Sequence, residues 1–114
     1  MKIHGVSPSS GTERQLMIER GIDGVVLTIM NELIRKECGR IIVRGEALVG
    51  AIMEPHEGGT AIEGLPQAQS PKLTLDIEVK RNEVVLNVRP GNTADIAVGL
   101  DDLQDALEGV ISRS

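Results

Sequence analysis

Residues 72–90 constrain this chain more than any other stretch. Leu73, Leu75, Ile77 and Val79 alternate with Thr74, Asp76, Glu78 and Lys80, and Val84, Leu86 and Val88 resume the alternation after a short break. A period of two is the signature of a half-buried strand. A two-residue turn at Arg81-Asn82 sets Val79 opposite Val84, Ile77 opposite Leu86 and Leu75 opposite Val88. All seven apolar side chains then share one face. A slip of one residue would turn an entire strand's apolar set to water, so this register is strongly specified. The other face carries Asp76, Glu78, Lys80, Asn87 and Arg89 and reads as solvated. Asn82 tolerates the positive φ that tight hairpin turns require.

A hairpin with one apolar face needs something to cover it. Ile22, Val26, Ile29, Met30, Leu33 and Ile34 recur at spacings of three and four, which predicts a helix over about 22–38. Gly39 follows as its stop, and Thr12 can cap an earlier helical stretch over 12–20. Arg40–Arg44 reads as a strand, and 46–53 as a second strand in preference to a short helix. Residues 54–71, with Pro55, Gly58, Gly59, Gly64, Pro66 and Pro71, read as one long loop. Ile96–Val98 predicts another short strand. Leu100, Leu103, Ala106, Leu107, Val110 and Ile111 then form a helical stripe, with Asp101, Asp102 and Asp105 at its positive end. No internal repeat is evident. The expected fold is a single α+β domain over 1–114, with helices packed on one face of a small antiparallel or mixed sheet. A helix followed by a small bent barrel is the alternative.

Composition narrows function. The 114 residues include no Phe, Trp or Tyr, so the core is expected to be built from Val, Ile, Leu, Met and Ala. Without aromatics there is no platform on which nucleic-acid bases can stack, and no Tyr or Trp anchor for an interface. The net charge of −5 disfavours nucleic acid and anionic membranes as partners. A single cysteine and no apolar run of membrane length suit a soluble, cytoplasmic protein.

Chemistry-bearing clusters are few. Glu54, His56 and Glu57 bring two carboxylates and an imidazole together, a set suited to a ligand or a divalent metal with further ligands from Asp76 or Glu78. Their spacing matches no strong zinc pattern. Cys38, placed at a helix C-terminus, sits where the dipole disfavours a thiolate. The glycines fit neither a dinucleotide nor a P-loop motif. Arg35, Lys36, Arg40 and Arg44 gather positive charge and form a candidate partner-binding surface, which the acidic C-terminal helix of another copy complements. The 72–80 strand, free of proline, offers an open edge for pairing. No catalytic residue, metal or cofactor is expected. The expected activity is non-catalytic: interaction or assembly with itself or another protein, as a homo-oligomer and a component of a larger complex or particle. A small ligand- or metal-binding regulator or enzyme using the Glu54, His56 and Glu57 loop is the alternative.

Overall fold

The computed structural model describes residues 1–22, 24–65, 72–90 and 94–111. Its elements run β1 (Lys2–Val6), β2 (Glu13–Arg20), β3 (Val25–Asn31), β4 (Glu37–Val43), α1 (Gly45–Met53), β5 (Thr60–Glu63), β6 (Thr74–Val79), β7 (Glu83–Arg89), β8 (Asp95–Gly99) and α2 (Leu100–Ile111). The strands form one antiparallel sheet in the order β4-β3-β2-β1-β8-β7-β6-β5. The sheet curls until its outer strands meet. Just beyond β5, the Leu65 N–H donates to the carbonyl of Ile42 on β4 at 2.7 Å. The result is a nearly closed eight-stranded barrel with two short helices, which corrects the expected two-layer helix-on-sheet domain. The alternative differs as well, because the helix it set ahead of the barrel is absent: residues 13–20, 25–31 and 37–43 are β2, β3 and β4.

The predicted hairpin forms as β6 and β7, with Val79 opposite Val84, Ile77 opposite Leu86 and Leu75 opposite Val88. The Lys80 N–H donates to the Glu83 carbonyl at 2.8 Å, closing the Arg81-Asn82 turn. The strand over 40–44 lies within β4, Ile96–Val98 within β8, and the C-terminal helix is α2. Residues 46–53, by contrast, are helical. Leu48, Ala51 and Ile52 are buried at spacings of three and four, so the segment covers the core with one stripe. The expected long loop contains β5, and its residues 66–71 lie outside those described.

The expected helix over 22–38 fails for a physical reason. Val25, Leu27 and Ile29 face inward at a period of two, while Val26, Thr28 and Met30 are themselves partly or fully covered. A strand apolar on both faces contains three- and four-residue spacings by default, so periodicity alone does not separate it from a buried helix.

The topology repeats itself although the sequence does not. A four-strand meander followed by a helix occurs twice, as β1–β4 with α1 and as β5–β8 with α2. The two halves join at two seams, β1 against β8 and β4 against Leu65 just after β5. The first seam has a single ladder pair, Val6 with Ala97. Gly5 permits this approach: a Cβ there would stand 2.4 Å from the Ala97 carbonyl oxygen. Inward-facing side chains of the strands and the buried stripes of both helices form one aliphatic core. The four methionines take no part in its buried set, unlike the expectation from composition: Met1 and Met53 are exposed and Met17 and Met30 are half-buried.

Candidate docking surfaces

Both helices lie at the end of the barrel that carries the β2–β3 turn. Val110 and Ile111 of α2 and Gly45 and Glu46 of α1 gather there with Arg20, Gly21 and Ile22. Each helix turns its most apolar stripe inward, through Leu48, Ala51 and Ile52 on α1 and Leu103, Ala106, Leu107 and Val110 on α2. Between them a groove of about 400 Å³ stays open. It is lined by Val49, Ile52 and Met53 on one side and Gln104, Leu107, Glu108 and Ile111 on the other. Met53 is 63% exposed and Ile111 41% exposed, so the groove presents aliphatic surface directly to water. Ile22, fully exposed at the adjacent turn, extends this apolar end.

Carboxylates predominate around the groove, with Arg44 at the N-cap of α1 and Arg20 beside Ile111 as the nearby cations. Glu46 on α1, Glu54 just after it, and Asp101, Asp102, Asp105 and Glu108 on α2 are all exposed, and neither helix contains Lys or Arg. None of these six carboxylates makes an ion pair among the described residues.

At the far end of the barrel, the β3–β4 turn projects a second aliphatic surface. Leu33 is 81% and Ile34 68% exposed. This turn is held in shape. The Asn31 N–H donates to the Lys36 carbonyl at 2.8 Å, and the Asn31 side-chain oxygen accepts from the N–H groups of Leu33 and Ile34. Arg35 closes it with a left-handed φ of 51°. Glu32 anchors its base to His4 on β1 and Gln15 on β2. An ordered turn that exposes two large aliphatic side chains is more than chance scatter of surface apolar residues.

The residues singled out in the sequence distribute as follows. Arg35 and Lys36 belong to this projecting turn, Arg40 to β4 and Arg44 to the start of α1. All four are exposed, and among the described residues none makes an ion pair. They string along β4 instead of clustering at a helix end. Glu54, His56 and Glu57 are exposed in the α1–β5 connection, and among the described residues no group of three potential metal ligands forms. Asp76, considered as a further ligand, is engaged by Arg89 at 2.7 Å. Cys38 is half-buried in β4 against the core, not at a helix terminus. The 72–80 strand is not an edge: β6 pairs with β5 on one side and β7 on the other.

One buried polar cluster has no counterpart in the sequence reading. Asp95 on β8 accepts hydrogen bonds from the Ser7 hydroxyl at 2.5 Å, the Ser9 hydroxyl at 2.9 Å and the Ser9 N–H at 3.0 Å. Arg14 on β2 reaches the same carboxylate at 3.1 Å and the Asp95 carbonyl at 2.8 Å. Both charged side chains are 9% exposed. The cluster ties the β1–β2 turn across the β1/β8 seam, and its charge-assisted hydrogen bonds suit that structural role. No protein-family profile, curated protein or solved structure matches the chain.

Proposed function

We propose that this protein is a non-catalytic assembly module that associates with further copies of itself and serves as a component of a larger complex or particle. The observation that carries the reading is the open aliphatic groove between α1 and α2, with Val49, Met53, Leu107 and Ile111 on its walls. Apolar surface of this kind gains roughly 25 cal/mol for each Å² removed from water. A groove kept open between two helices whose most apolar stripes are already buried is therefore suited to receive side chains from outside. The predominance of carboxylates around it favours a partner surface that is aliphatic and basic.

Sedimentation velocity over a wide range of protein concentration tests this reading. The wild-type chain is expected to sediment as an oligomer whose population rises with concentration. Met53→Lys places a charge in the groove at a position already exposed, so the monomer keeps its fold while the oligomer dissociates. A wild-type chain that remains monomeric at high micromolar concentration contradicts the proposal.

A further inference from the structure

We infer that the occupant of the α1–α2 groove is the β3–β4 turn of a second copy; the inference rests on the assembly reading above. Three observations converge. The first is shape and chemistry: the turn projects Leu33 and Ile34 on an ordered frame, and the groove offers aliphatic walls of Val49, Ile52, Met53, Leu107 and Ile111. The second is charge. Arg35 and Lys36 directly follow the projecting pair, between Glu32, which His4 and Gln15 engage, and exposed Glu37, whereas the groove is bordered by Glu46, Glu54, Asp101, Asp105 and Glu108, with Arg44 at the N-cap of α1 and Arg20 beside Ile111 as the nearby cations. Neither set is neutralised within the molecule among the described residues. Complementary potentials of this sort fix orientation and register at an interface.

The third observation is placement. The β2–β3 turn lies with the helices, and the β3–β4 turn lies at the other end of β3. The seven residues of β3 span roughly 23 Å at about 3.3 Å each. A molecule therefore cannot fill its own groove with its own turn. Two different surfaces at opposite ends pair either reciprocally in an antiparallel two-fold dimer or head to tail in a ring or filament. An ordered turn also loses little conformational entropy on docking, which favours association.

Charge inversion on each surface tests the pairing, read by native mass spectrometry. One protein carries Arg35→Glu and Lys36→Glu; the other carries Asp105→Lys and Glu108→Lys. All four positions are exposed, so folding is not at stake, and circular dichroism checks it. The first then sets an acidic turn against an acidic groove and is expected to be monomeric; the second places two lysines among the remaining carboxylates of its groove and is expected to associate less than wild type. Mixed in equal amounts, the acidic turn of the first meets the lysines of the second, so the mixture is expected to form mixed oligomers to a greater extent than either protein alone. If the wild-type chain is oligomeric and both inverted proteins keep that oligomer, the pairing is overturned while the assembly reading stands. If the wild-type chain is monomeric, both fall. If the turn instead binds phosphatidylserine vesicles and the wild-type chain stays monomeric, the turn's occupant is a membrane surface and the pairing is overturned.

Discussion

At the residue scale, the buried Arg14–Asp95 pair and the glycine at the seam determine whether the two halves of the barrel hold together. Asp95 collects Ser7, Ser9 and Arg14 from the β1–β2 region onto β8. Removing one member of a buried ion pair strands the other charge away from water, which costs about 3–5 kcal/mol. Asp95→Ala is therefore expected to lower unfolding free energy by about that amount in urea titrations. A double replacement, Arg14→Met with Asp95→Leu, removes both charges and is expected to cost less than Asp95→Ala alone. At Gly5 the reason is steric: a methyl group there meets the Ala97 carbonyl oxygen at 2.4 Å and the side chains of Ile96 and Val98 at 2.8 and 2.9 Å. Gly5→Ala forces β1 and β8 apart, with an expected loss of about 1–3 kcal/mol on the same titrations. A Gly5→Ala protein as stable as wild type would mean that the seam contributes nothing. Neither the pair nor the glycine contact was legible in the sequence. Ser7, Arg14 and Asp95 are up to 88 positions apart, and only the closing of β1 onto β8 brings them together.

At the element scale, legibility followed how much each segment's pattern had to satisfy. The β6–β7 hairpin was readable down to its register because one face is buried and the other is polar, so period two stands out. Helix α2 was readable for the same reason at period 3.6: its buried residues recur at three and four against a face of Asp and Glu. The pattern failed where both faces are covered, as in β3, and where helix-forming side chains occupy a strand, as in Glu13–Arg20 of β2. There the curled sheet overrides local preference. The β-branched run Val25, Val26, Thr28 and Ile29 was the available signal for a strand. Helix α1 shows the converse, since glycines at 45 and 50 and β-branched Val49 and Ile52 disguise it. Missing α1 also hid the groove, because one of its two walls was absent. Gly50 sits in that helix with nothing within 4 Å of the place a Cβ would occupy. Gly50→Ala is thus expected to stabilise the protein by about 0.5–1 kcal/mol, seen as a higher unfolding midpoint. An unchanged or lowered midpoint would argue against helix at this position.

At the scale of the whole molecule, the barrel separates two unlike ends. One carries both helices, the aliphatic groove and a concentration of carboxylates. The other carries an ordered turn with Leu33, Ile34, Arg35 and Lys36. A net charge of −5 conceals this division, because every Lys and Arg among the described residues falls outside the two helices. The sequence did show the basic run at Arg35–Arg44 and the acidic final helix as complementary. It did not show that they mark opposite ends of one body, since residues 22–38 were expected as a single helix and not as two strands joined by a projecting turn. The proposed self-association rests on that geometry, in which exposed charges and aliphatic side chains at one end would meet complementary groups at the other end of another copy. The most direct test is native mass spectrometry of the unmodified chain at micromolar concentration. The account predicts discrete multiples of the 12.2 kDa protomer. A single 12.2 kDa species at every concentration would contradict it.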